Sequence, residues 1–246
     1  MNAIFSRMSK MLMIAVSSFV VSHSFAGVVL TGTRVILADG QNEKAINLQN
    51  KDVAPALVQI WLDEGDENST LETAQAPFVV SPQIFRMQPN AGQTVRVRFV
   101  GADQVTQDRE SLYFLNFLQY PAAKKQDADQ NRLMVVFKNR VKVFYRPKNL
   151  VGNSAQTLDK LNFKFDMQTK QLSVNNPTAY YASVQELRLL APSKDVLVKQ
   201  NEMIAPYSTV SWSVKSSDSI PNTAKIKITL INDYGASAIR EASLSP

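Results

Sequence analysis

Few side chains in this sequence can do chemistry. The 246-residue chain has no cysteine and a single histidine, His23. Thiol nucleophiles, disulfides and cysteine-ligated metals are therefore excluded. The acidic cluster Asp63, Glu64, Asp66 and Glu67 could in principle offer the paired carboxylates of a glycoside hydrolase. It lies in the polar run WLDEGDENST, whose composition reads as a solvated turn. Serine–lysine chemistry stays open on composition alone. The cations are more suggestive. Arg34 interrupts an otherwise apolar run, Thr31-Gly32-Thr33-Arg34-Val35-Ile36, where an outward-facing charge on an edge strand is the ordinary reading. Arg140, Lys142 and Arg146 alternate with Val141, Val143 and Tyr145 near the middle of the chain.

His23 belongs to a leader. Residues 1–26 carry Arg7 and Lys10, then an apolar run from Met11 to Val21 broken by Ser17 and Ser18, then the small-x-small site Ser24-Phe25-Ala26. That is the pattern of a cleavable secretory signal peptide, too short to be a stable membrane span. Cleavage after Ala26 leaves 220 residues without histidine, and losing Arg7 and Lys10 takes the net charge from +6 to +4. Histidine triads, histidine-ligated metals and imidazole proton shuttles are then impossible. No metal or other cofactor is expected. The mild positive charge does not suggest nucleic acid. No second apolar stretch approaches ~18 residues, so no membrane insertion is expected after export. The expected compartment is the periplasm.

The elements that must position the cations are strands. Short alternating or β-branched runs recur between Pro, Gly, Asn and Asp. In the first half they fall at Val28–Leu37, Ala45–Leu48, Ala56–Leu62, Phe78–Val80, Thr94–Val100, Leu112–Leu118 and Arg132–Tyr145. In the second half they fall at Leu158–Phe165, Gln171–Val174, Ala182–Leu190, Val196–Val198, Thr209–Val214, Ala224–Ile231 and Ser237–Ala242. Seven strands per half make an all-β chain of two immunoglobulin-like sandwiches. Arg146-Pro147-Lys148-Asn149-Leu150-Val151-Gly152-Asn153 reads as the connector. The expected division is 1–26 leader, 27–147 first domain and 148–246 second domain. The polar stretch KKQDADQN, 124–131, reads as a solvated loop.

The long run ending at Tyr145 is unusual. Leu133, Met134, Val135, Val136 and Phe137 are apolar on both faces of the expected strand. The last strand of a two-sheet sandwich needs only one apolar face. A second apolar row asks for a partner from outside the domain, or for cover by the same chain.

Four ordered motifs give the chain a family resemblance. They are Asp108-Arg109-Glu110-Ser111-Leu112 with Phe114-x-Asn116, Lys142-Val143-Phe144-Tyr145-Arg146-Pro147, Asn176-Pro177-Thr178-Ala179-Tyr180-Tyr181, and Ile231-Asn232-Asp233-Tyr234-Gly235. Over essentially the whole mature length the chain resembles the PapD-like periplasmic chaperones of the chaperone–usher pilus pathway. Thr106 and Phe117 depart from the family signature at positions outside its binding residues. The resemblance implies a boomerang of two immunoglobulin-like domains with a cleft between them. It implies an ATP-independent chaperone that binds, stabilises and delivers pilus subunits to an outer-membrane usher, without catalysis. Arg34 and Lys142 occupy the positions that anchor a subunit's C-terminal carboxylate. Leu133, Val135 and Phe137 are in register as the donor row that fills the subunit's groove, a β-augmentation. Glu110, Arg146 and Asp233 match an interdomain charge cluster. The modest connection from Pro121 to Asn131 and the lack of cysteine fit the short-loop class. Self-capping as a homodimer through the exposed strand is compatible with such an edge. The competing class is a structural pilus subunit or adhesin, which would show one incomplete domain and usually a cysteine pair.

Overall fold

The computed structural model describes residues 27–38, 40–101, 105–122, 133–191, 194–215 and 224–244. The leader at 1–26 and the polar loop at 124–131 lie outside the described residues.

The first domain contains β1 (Val28–Leu30), β2 (Arg34–Leu37), β3 (Glu43–Asn50), β4 (Ala56–Asp63), β5 (Phe78–Ser81), β6 (Ile84–Met87), β7 (Gly92–Phe99), β8 (Ser111–Pro121) and β9 (Phe137–Tyr145). They form two sheets, ordered β1-β3-β7-β5 and β2-β9-β8-β4-β6. Strict alternation builds the sandwich. In β7, Val95, Val97 and Phe99 turn inward while Thr94, Arg96 and Arg98 meet water. Leu37, Leu48, Ile60, Leu115 and Val143 meet them from the neighbouring strands.

The second domain opens on a one-turn helix, α1 (Thr157–Lys160), followed by β10 (Asn162–Asp166), β11 (Gln171–Asn176), β12 (Ala182–Ala191), β13 (Lys194–Ile204), β14 (Ser208–Ser213), β15 (Lys225–Ile231) and β16 (Ser237–Ser243). Its sheets are β10-β11-β14 and β13-β12-β15-β16, closed on a separate core of Leu172, Val174, Leu187, Leu189, Ile226 and Ile228. The chain is therefore two immunoglobulin-like sandwiches, as the strand spacing implies.

Three local expectations need correction, and one strand is unexpected. Val28–Leu37 is not one strand. Thr31-Gly32-Thr33 breaks it, with Gly32 at φ +101, a conformation open to glycine but rarely to other residues. The first piece joins β3 in one sheet and the second pairs parallel to β9 in the other. The strand expected from Arg132 begins at Phe137, where its pairing with β8 stops at Gln119. Leu158 lies in α1, ahead of β10. The pattern also gives no sign of β6, which is only four residues long and begins two residues after Pro82.

Candidate functional site

β9 carries the geometry on which the site depends. It pairs antiparallel with β8 from Gln119↔Phe137 to Ser111↔Tyr145. On its other edge it pairs with β2, but only over Arg34↔Lys142 to Leu37↔Tyr145. Among the described residues, no strand pairs with that edge from Phe137 to Val141. The odd-numbered row changes environment along the strand. Val143 and Tyr145 are buried in the first core and Val141 packs against it. Phe137 is 60% exposed, Val135 53% and Leu133 91%. One row thus runs from core to solvent.

Arg34 and Lys142 face one another in register where β2 begins. Arg34 reaches into the second domain, donating from Nη1 to the Ile231 carbonyl at 2.9 Å and to Ser183 Oγ at 3.3 Å. Its guanidinium lies 5.8 Å from the centre of the Phe144 ring. Arg34 Nε is buried without a hydrogen-bond partner. No hydrogen bond or ion pair holds the Lys142 ammonium among the described residues. Burial pushes both groups below their ordinary basicity. The neighbouring Arg34 charge lowers Lys142 further, and Glu202 partly offsets this. For Arg34, Asp233 and Glu110 oppose the burial effect, while Arg146 adds to it. Two desolvated cations with unfilled donor capacity have the chemistry to accept an anion.

Glu110, Arg146 and Asp233 come together at the domain junction. Arg146 Nε donates to Glu110 Oε1 at 2.6 Å, and its two terminal nitrogens donate to both Asp233 oxygens at 2.7 Å. Local structure aims each acid. Asn232 closes the β15–β16 hairpin by accepting from the Tyr234 and Ala236 amides, both at 3.0 Å, which leaves Asp233 pointing at Arg146. Gly235 follows at φ +80, and Thr33 Oγ1 of the first domain lies 2.5 Å from where a Cβ would stand. Asn176 gathers the carbonyls of Tyr180, Ile204 and Ala205, shaping the loop that offers the Tyr181 amide to Glu110 Oε2 at 2.7 Å. Glu110 is buried, and burial raises its pKa against the pull of Arg146 and the Tyr181 amide. Asp233 is also opposed by burial, but its hydrogen bonds with Arg146 and its charge hold its pKa below the ordinary 3.8. Ser154 Oγ adds a bond at 2.8 Å. The cluster cross-links the domains beside the two cations.

The family model described as "Pili and flagellar-assembly chaperone, PapD N-terminal domain" matches residues 27–151, and that described as "Pili assembly chaperone PapD, C-terminal domain" matches residues 156–242. The chain belongs to the PapD-like family of pilus-assembly chaperones. It is similar to the probable fimbrial chaperone YadV of Escherichia coli (strain K12), with 34% identity over 227 residues covering 91% of this chain and 92% of the relative. It is also similar to the chaperone protein HifB of Haemophilus influenzae, with 34% identity over 223 residues and 88% of each chain covered. The crystal structure of the YadV chaperone superposes with a TM-score of 0.76 at 32% identity, covering 89% of this chain and all of that one. The family consists of chaperones, not enzymes. No helix among the described residues is long and apolar enough to cross a membrane.

One feature of this family member escapes a reading of the sequence alone. Asp63 is not part of a solvated turn. Glu64, Asp66 and Glu67 are exposed, but Asp63 ends β4 and is only 1% exposed. Arg140 grips both its oxygens at 2.7 Å, Asn116 Nδ2 donates at 2.6 Å, Ser69 Oγ at 2.7 Å and the Gly65 amide at 2.8 Å. Burial would raise the Asp63 pKa, but these donors hold it below 3.8. The available signal was parity. Trp61 and Asp63 share one face of β4, and Arg140 and Lys142 share one face of β9.

Proposed function

We propose that the chaperone captures a pilus subunit by lending it the free edge of β9, with Arg34 and Lys142 anchoring the subunit's terminal carboxylate. The observation that carries this reading is where the free edge stops. A guest strand can lie along β9 as far as Val141, and there β2 takes over the same edge. The end of the guest strand then meets Arg34, which begins β2, and Lys142, which faces it on β9. Each charge-assisted hydrogen bond to a carboxylate contributes ~1.5–3 kcal/mol. Leu133, Val135 and Phe137 fill the guest's apolar groove, and main-chain bonds along the edge supply the rest. No nucleotide is needed, because folding of the guest against the edge drives capture. The Glu110–Arg146–Asp233 cross-link keeps the second domain, with Ile231 and Ser183, in place behind Arg34. The complex is delivered to an outer-membrane usher in the periplasm, where the leader at 1–26 directs the chain. The modest length from Pro121 to Asn131 and the lack of cysteine support the short-loop class.

Replacing both cations tests the anchor. Arg34→Ala/Lys142→Ala should abolish co-purification of a co-expressed pilus subunit from periplasmic extract. Circular dichroism of the free protein should be unchanged, since neither side chain belongs to a core. Undiminished capture by this double variant would refute the carboxylate assignment.

A further inference from the structure

We infer that Asp63 and Arg140 form a clamp that selects which of the two apolar rows before β9 is offered to a guest, so that both are positioning residues for subunit capture. The inference rests on the donor-edge reading above. Residues 133–137 are apolar on both faces, Leu133, Val135 and Phe137 on one and Met134 and Val136 on the other. Leu133–Val136 have no strand partner of their own. Their rotation about the strand axis is therefore set by the first residues inside the sheet.

Those residues are tethered on the even-numbered side. Lys138 Nζ donates to the carbonyls of Glu67 and Ser69 at 2.7 and 3.1 Å. Arg140 holds Asp63 with both terminal nitrogens, and Nη1 also reaches Asn116 Oδ1 at 3.1 Å and the Asp66 carbonyl at 3.3 Å. Its guanidinium lies 4.1 Å from the centre of the Phe114 ring. Ser69 receives Trp61 Nε1 at 3.1 Å, which fastens the loop after β4 to the sheet. The network crosses three adjacent strands, with Asp63 on β4, Asn116 on β8 and Arg140 on β9. It ties the even side of β9 to its sheet at Lys138 and Arg140, beyond which Met134 at 54% and Val135 at 53% are about equally exposed in the free protein. The odd side, beginning with Phe137, is left facing outward.

A buried ion pair is a poor stabiliser, because desolvating two charges offsets most of their attraction. Its best-attested use is to fix register or orientation. This pair sits between the free end of the strand and the cations, three rungs inside the last ladder pair, Gln119↔Phe137, and two residues before Lys142. A strand held by β8 alone could twist at its frayed end and present Met134 and Val136 instead. The bidentate fork prevents this, because rotation would strip Asp63 of its donors.

The test compares glutamate substitutions on the two rows in the full-length chaperone, using subunit capture as the readout. With the clamp intact, Val135→Glu should weaken capture about a hundredfold or more and Met134→Glu less than about threefold. In Asp63→Leu/Arg140→Leu, an apolar pair that avoids stranding a charge, capture should fall about tenfold, and the two glutamates should cost within about threefold of each other. A clamp of purely structural importance would change the melting temperature without changing the preference between rows. If the double variant does not fold, Arg140→Lys, which keeps the charge and loses the fork, carries the same comparison, with a narrowed preference expected. Full retention of the preference for the odd row in the clamp variant overturns the inference. Val135→Glu in the otherwise unchanged protein serves as the control. If it leaves capture intact, the donor-edge reading has failed, and the clamp inference falls with it for that separate reason.

Discussion

Leu133→Ala is the cleanest perturbation of the donor row. Leu133 is 91% exposed in the free protein, so almost none of its burial contributes to folding. Fully burying a leucine side chain is worth ~1.5–3 kcal/mol, and nearly all of that remains to be gained when a guest groove closes over it. Truncation to alanine should therefore cost ~2 kcal/mol of binding, which is about thirtyfold in Kd. The folding cost should be no more than a few tenths of a kcal/mol, about 1 °C in Tm. Val143 stands on the same row, is fully buried, and provides the inverse control. Val143→Ala should lower the Tm by several degrees, through a loss of ~1–3 kcal/mol of folding stability, and leave the donor groups in place. Thermal melts of the free variants and titration with a purified pilus subunit separate the two quantities. A Leu133→Ala protein that melts several degrees early while binding normally would refute the reasoning, since the residue would then belong to its own domain.

The ammonium of Lys142 binds a carboxylate only when charged, and burial together with Arg34 lowers its pKa from 10.5. Capture should therefore weaken with rising pH sooner than an unperturbed lysine would allow, and Kd measured from about neutral pH to about pH 10 should show it. Lys142→Arg should flatten that dependence. Asp233→Asn should cost ~1–3 kcal/mol and loosen the junction, so that calorimetry resolves two domain transitions where the parent shows one. The sign with pH follows from the depressed Asp233 pKa. Its contribution is complete above the ordinary value of 3.8 and is lost as pH falls through the depressed one, so the parent and Asp233→Asn stabilities should converge in acid.

Much of the fold was legible because period-2 alternation is a local signal. β7 and β15 are read from their own residues, each with every second side chain buried. The failures share a physical cause, since each depended on something the local pattern does not contain. The break inside Val28–Leu37 is a change of sheet, and a single glycine at positive φ is the only trace it leaves. The true start of β9 is where its pairing with β8 ends, at Gln119, although β8 itself continues to Pro121 against β4, and no residue of β9 records that. Leu158 looks like a strand residue because one turn of helix is too short to show a 3.6-residue period.

The site divides in the same way. The row that leaves the core could be anticipated, because five consecutive apolar residues exceed what one face of a sandwich can bury. The anchor could not be assigned from pattern, since Arg34 and Lys142 are 108 positions apart and meet only through the parallel β2–β9 pairing. Asp63 was hidden by its neighbours. Three exposed acids follow it in a polar run, and its burial depends on Arg140, Asn116 and Ser69 arriving from three other places in the chain. These assignments converge on β9, whose two faces serve different ends. Its odd side passes from the core to the proposed guest, while its even side carries Lys138 and Arg140 to the proposed clamp, Lys142 to the proposed anchor and Phe144 to the junction, where its ring lies 6.2 Å from that of Tyr181. At Lys138 and Arg140 the even face is tethered, while the odd face is open from Phe137 outward. That is a reason, within this one chain, why the donated row should be Leu133, Val135 and Phe137.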